Sequence, residues 1–98
     1  MLTVQIEHPV RDFESWKAAF ARDPAGREAS GVRRYRVYRP LDDVHYVIIE
    51  LDFDARGAAE AFVATMRTIW PKVEGTLMTG PQVRIVDCVD EHEYSRST

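Results

Sequence analysis

The sequence predicts a single α+β domain with element order β-α-β-β-α-β, a four-stranded antiparallel sheet carrying two helices on one face. Three observations lead there. Segments with apolar residues at every second position stand near both ends and in the middle of the chain. Two segments with apolar residues three or four apart separate them. The two middle strands are joined by so short a turn that they form a hairpin.

The elements follow in order. Leu2, Val4 and Ile6 alternate with Thr3, Gln5 and Glu7, a half-buried strand that Pro9 ends because proline cannot donate to a ladder. Asp12 is a good N-cap for a helix of about three turns, with Phe13, Trp16 and Phe20 on one face. Asp23-Pro24-Ala25-Gly26 stops it. Val32 to Arg39 reads as a strand, Pro40-Leu41-Asp42-Asp43 as a turn, and Val44 to Phe53 as the next strand. Asp54 is the expected cap of a second helix, Ala55 to about Trp70, with Ala58, Phe62, Met66 and Ile69 along one face. Pro71 is expected to close it, since the residue before proline avoids the helical region. Lys72 to Met78 adds a short turn, Gly80-Pro81 punctuates, and Val83 to Val89 is the last strand. Right-handed crossovers and helices packed on one face leave few options for this order, and the commonest is the ferredoxin-like sheet.

Residues 1–90 form the domain and 91–98 a polar tail. A chain of 98 residues buries roughly 60–65% of its extended surface, enough for one modest core. The net charge of −3 argues against a global pull on nucleic acid or an anionic membrane. The single cysteine, Cys88, excludes an internal disulfide and fits a reducing compartment. The N-terminal stretch lacks a basic region followed by an apolar one, and the strongest apolar run, near Tyr46–Ile49, is far shorter than a membrane span needs. The expected setting is the cytoplasm.

Strand alternation sorts the side chains. Val47, Ile49, Leu51 and Phe53, with Tyr35 and Val37 and with Val4 and Ile6, belong on the helix side. Tyr46, Ile48, Glu50 and Asp52, with Arg34, Arg36 and Tyr38 and with Thr3, Gln5 and Glu7, point the other way. That second face is too apolar for a fully wetted surface and too charged for a core, which suits a partner sheet and predicts a homodimer.

Candidate site residues fall in two groups. Glu7, Arg36 and Glu50, with Arg34 and Arg84 nearby, are placed to meet on the uncovered face. There they would bind a polar substrate group or hold a raised-pKa carboxylate, and cross-strand ion pairing is the structural alternative. Trp70, Met66 and Met78 would wall a pocket for a small aromatic ligand, with core packing as the alternative. Loosely packed residues Lys72 to Gly80 would form its lid, and Tyr46 or Glu50 its far rim. His8 and His45 lack ligand spacing and read as surface or strand-end histidines. Cys88 and His92, four apart, make no zinc site without further ligands, so no metal is expected. Arg33, Arg34, Arg36 and Arg39 cluster in sequence, but alternation splits them and no RNA-binding aromatic signature accompanies them.

The residues resemble a family. Asp12-Phe13-Glu14-Ser15-Trp16-Lys17-Ala18-Ala19-Phe20, Gly31-Val32-Arg33 leading into Tyr35-Arg36-Val37-Tyr38-Arg39, Asp42-Asp43 and Val47 to Phe53 are similar to the dimeric α/β-barrel superfamily. The likeness, over residues 2 to 89, is greatest to its small antibiotic-biosynthesis-monooxygenase-like members. It implies a dimer of facing sheets, with a pocket between sheet and helices in each protomer. It implies no single activity, because the superfamily holds oxygenases, isomerases, haem-degrading enzymes and ligand-sensing domains. Trp70 matches the tryptophan of the haem-degrading members. Gln5 or Glu7 stands in place of their first-strand asparagine, and no histidine occurs between His45 and His92. The quinone-forming members carry an asparagine one helical turn before the tryptophan, where this chain has Met66. The expectation is therefore a dimeric barrel that uses no cofactor and acts on a small aromatic compound by monooxygenase-like or isomerase-like chemistry. The alternative is a non-catalytic ligand-binding or assembly module.

Overall fold

The computed structural model describes residues 1–95. Its elements are β1 (Leu2–Pro9), α1 (Phe13–Ala21), β2 (Val32–Tyr38), β3 (Tyr46–Phe53), α2 (Arg56–Val73) and β4 (Gln82–Asp87). The four strands form one antiparallel sheet in the order β2-β3-β1-β4, the ferredoxin-like arrangement.

Alternation sets the register. Val4 faces Leu51 and Ile85, and Ile6 faces Ile49 and Val83, so apolar side chains stack across three strands on the helix side. Val4, Val47, Leu51 and Phe53 are sealed from solvent. Trp16 from α1, and Ala59, Phe62, Val63 and Trp70 from α2, complete the core. The α1 N-terminus is held as its sequence predicts: Asp12 is extended, and its carboxylate accepts the Ser15 backbone N–H at 2.9 Å. A bulge between Val32 and Arg34 displaces one residue at the start of β2.

Several boundaries differ from expectation. β3 begins at Tyr46, not Val44, because the Asp43 carboxylate accepts the His45 backbone N–H at 2.9 Å and extends the turn. Asp54 does not cap α2. Ala55 takes that position without a side-chain bond, and Asp54 instead pairs with Arg33 at 3.3 Å. Pro71 does not end α2, which continues to Val73. Proline costs a helix one i→i−4 bond, and here that loss falls on the exposed side of the last turn. The segment after α2 is anchored at Met78. Met78 is buried and bridges both Val10 and Glu74, while the Arg11 N–H donates to the Leu77 carbonyl at 3.2 Å. β4 stops at Asp87, two residues early. Of the tail expected over 91–98, residues 91–95 carry no helix or strand, and 96–98 lie outside the described residues.

His8 is the largest departure on the inner face. Its place two residues beyond Ile6 puts it among the core side chains, 2% exposed, and not at the surface. Its ring meets Trp16 edge-on with centroids 6.0 Å apart.

Candidate functional site

The two helices do not fill the space above the sheet. Between them and the inner rows of β1 and β3 lies a cavity of about 100 Å³. Its floor is Ile6, His8, Ile49 and Leu51, and its walls are Trp16 and Phe20 on α1 and Phe62, Met66 and Trp70 on α2. Met78 and Leu77 close one end. Both tryptophans of the chain therefore border the same space.

The loop after α1 adds polar groups to the lining. Asp23, Pro24, Ala25 and Arg27 all border the cavity. Asp23 has a positive φ of 54°, and its carboxylate accepts the Arg27 backbone N–H at 2.9 Å. The Arg27 guanidinium donates to the Phe20 carbonyl at 2.9 Å and lies 3.9 Å over the Phe20 ring and 4.8 Å from that of Tyr35.

His8 is the ionisable group inside. Burial holds its imidazole below its ordinary range, against weaker upward pulls from the Pro9 carbonyl and the Glu74 carboxylate. Nδ1 lies 3.0 Å from the Pro9 carbonyl oxygen. A carbonyl only accepts, so Nδ1 carries the proton and the neutral ring turns a lone pair out at Nε2. The cavity thus offers apolar, largely aromatic walls with the His8 Nε2 acceptor among them, and Asp23 and Arg27 in its lining.

The sheet separates the six predicted site residues. Met66 and Trp70 stand together at the cavity, while Glu7, Arg36, Tyr46 and Glu50 occupy the outer face. Tyr46 and Glu50 therefore do not form the far rim of the pocket, because their odd spacing from Val47 and Ile49 turns them away. On the outer face the polar groups pair across strands. The Tyr46 hydroxyl donates to Glu7 at 3.0 Å, and Arg36 lies 3.6 Å from Glu50, which also accepts from Gln5. Arg34 donates twice to Asp52, at 3.1 and 2.9 Å, and the Thr3 hydroxyl donates to the same carboxylate at 2.8 Å. The Tyr46 phenol is held above its ordinary range by burial first, then by its bond to Glu7. These pairs zip the register together and leave no converging catalytic pair.

Sequence reasoning missed His8, Trp16, Phe20 and Arg27 as cavity residues. The signal for His8 was present: it shares the even-numbered row of Val4 and Ile6. Nothing in the pattern pointed to Arg27, whose place depends on the turn at Asp23. His45 sits in the β2–β3 turn, where its carbonyl accepts the Val10 N–H at 2.7 Å. Among the described residues, no three His, Cys, Asp or Glu side chains are placed to share a metal ion, and no helix is long and apolar enough to cross a membrane.

No protein-family model and no curated protein matches the chain. Solved structures do. SnoaB, a cofactor-independent oxygenase from Streptomyces nogalater, superposes with a TM-score of 0.73 at 15% identity, over 92% of this chain and 94% of that one. An antibiotic biosynthesis monooxygenase-like protein from Deinococcus radiodurans gives 0.67 at 14% identity, over 98% and 100%. A dimeric ferredoxin-like protein from an uncultured marine organism gives 0.61 at 7% identity, over 96% and 100%. At these identities the likeness is one of backbone, and on it this chain has the ferredoxin-like fold of the antibiotic-biosynthesis-monooxygenase-like proteins.

Proposed function

We propose that this chain is a homodimeric small-molecule enzyme that binds a compact aromatic compound between its helices and its sheet and carries out cofactor-independent, monooxygenase-like chemistry there. The observation that supports the reading best is the cavity, an apolar space walled by Trp16, Phe20, Met66 and Trp70 with one buried ionisable ring. A dry apolar cavity of about 150 Å³ holds one benzene. At about 100 Å³ this one takes a single ring only with modest side-chain shifts, and flexible Met66 and Met78 supply them. The structural neighbours add the chemistry by analogy of fold, SnoaB being described as a cofactor-independent oxygenase.

In this reading Met66 and Trp70 are ligand-binding residues, whereas Glu7, Arg36, Tyr46 and Glu50 belong to the dimer interface. Ile48, Tyr38 and Tyr46 give that outer face its apolar part. The rival, a ligand-holding module without chemistry, is favoured by one observation: apart from Asp23 and Arg27, which are paired with each other, His8 is the one ionisable side chain lining the cavity.

Because both tryptophans line the cavity, intrinsic fluorescence reports its occupancy. Titration with a panel of one- and two-ring aromatic compounds should quench or shift the emission, and native mass spectrometry should give a dimer. Oxygen uptake with a bound compound separates enzyme from module. A wild-type protein whose emission answers to no compound would retire the proposal.

A further inference from the structure

We propose that His8 reads the ligand: its Nε2 accepts a hydrogen bond from a single O–H or N–H donor on an otherwise apolar, uncharged molecule. The inference rests on the cavity reading above and adds the chemical class of the occupant.

The geometry leaves His8 one free function. The Pro9 carbonyl engages Nδ1, so the proton of the neutral ring is fixed there. Nε2 has no hydrogen-bond partner among the described residues, yet no buried side-chain nitrogen or oxygen among them is both sealed off and unpaired. Nε2 therefore borders open space. His8 is only 2% exposed and lines the cavity, so that space is the cavity. The ring is held by β1 on one side and Trp16 on the other, which keeps its direction constant.

Of the other polar groups in the lining, Arg27 and the indoles of Trp16 and Trp70 are donors and do not compete with Nε2 for a ligand's proton. Asp23 and Arg27 line the cavity and are bound to each other and to Phe20. Met66 and Met78 offer only weak sulfur acceptors. An anion has no proton to give the Nε2 lone pair, and a cation would lose its hydration to apolar walls. A neutral molecule with one donor satisfies the site. A purely apolar molecule of the same shape would displace water from Nε2 and leave an acceptor unpaired, the situation in which binding sites discriminate most sharply. The fitting class is a one-ring aromatic alcohol or N–H heterocycle.

Phenol and toluene test this, because they match in size and differ in the donor. Binding is followed through the indole N–H resonances of Trp16 and Trp70. Wild-type protein should bind phenol at least fivefold tighter than toluene. In His8→Phe that preference should vanish while toluene still binds. In the wild type, the Nε2 nitrogen resonance should move in the direction of hydrogen-bond acceptance with phenol and not with toluene, a readout that does not depend on the variant's folding. Toluene binding without a phenol preference, a preference that survives His8→Phe, or an Nε2 resonance indifferent to phenol would each overturn the role of His8 and leave the cavity reading standing. Failure of both compounds to reach the indoles would overturn both.

Discussion

Trp70→Ala tests how α2 packs beside the cavity. Trp70 is 7% exposed, so its indole is a core side chain by burial, yet one part of it borders the cavity. Truncating a buried tryptophan costs about 3–5 kcal/mol through lost transfer energy and the void left behind. Atoms that already face empty space have fewer dispersion contacts to lose, which puts Trp70 near the lower end, at about 3 kcal/mol. Trp16 provides the internal comparison. It is equally buried and borders the same cavity, but its ring also meets Phe20 at 5.0 Å and Phe13 and His8 at 6.0 Å. Aromatic pairs of this kind add about 0.5–1.5 kcal/mol each, so Trp16→Ala should cost close to 5 kcal/mol. In a domain this small each kcal/mol lowers Tm by about 4–8 °C, so Trp70→Ala should melt about 12–24 °C below wild type and Trp16→Ala lower still. Circular dichroism melts and urea titrations at equal protein concentration measure both. A loss under about 1 kcal/mol for Trp70→Ala, or a larger loss there than at Trp16, would refute the burial of the Trp70 indole beside the cavity and the packing of α1 against it.

The remaining predictions concern charge and assembly. Because burial lowers the His8 pKa, the unfolded chain binds a proton near pH 6.5 that the folded chain resists. Stability from this group is complete above pH 6.5 and falls with pH below it, by at most about 1.4 kcal/mol per pH unit until the folded value is passed. Urea titrations of wild type and His8→Phe between pH 7.5 and 5 should show the extra slope only in the wild type, and parallel curves would refute it. Arg34→Ala leaves Asp52, 5% exposed, with the Thr3 hydroxyl as its remaining side-chain partner. Since Arg34 itself is well exposed, the expected cost is about 1 kcal/mol, and a neutral result in urea unfolding would show that the pair carries nothing. Ile48→Lys sets an unpaired charge on the outer face and should shift a dimer toward monomer in sedimentation. A wild-type monomer at micromolar concentration would refute the dimer itself.

Period-two alternation made most of this architecture legible. It placed Val4, Ile6, Val47, Ile49 and Leu51 on one face and Glu7, Arg36 and Glu50 on the other without reference to any tertiary contact. The same rule placed His8 inside, but a histidine at a strand end beside proline reads as exposed when its residue type is weighed above its position. Helix ends were less legible, because they turn on single bonds. Asp54 has the right side chain for a cap and gives it to Arg33. Pro71 sits where the helix loses little by keeping it. The site was legible only in half. Met66 and Trp70 share a helix face and so share the cavity, whereas the link between them and Glu50 required a side chain to pass through the sheet. The cavity depends on the gap that α1, α2 and the Asp23 turn leave between them, and no local pattern encodes such a gap.

The sheet is one residue thick, and its numbering keeps two ledgers apart. Even positions of β1 and odd positions of β3 and β4 address the cavity, while their immediate neighbours address the other surface. A lineage can therefore reshape the occupant of the cavity at Ile6, Ile49 or Leu51 while leaving the Glu7, Ile48 and Glu50 surface intact, and can alter its partner without touching the binding walls. Substitutions on opposite faces share no side-chain partner, so they are free to accumulate nearly additively. Single-residue insertions are a different matter. One added residue in β1 would exchange the two sets beyond it, sending Glu7 toward the tryptophans and a core side chain out to the surface. Such a strand tolerates broad change in composition and very little in length.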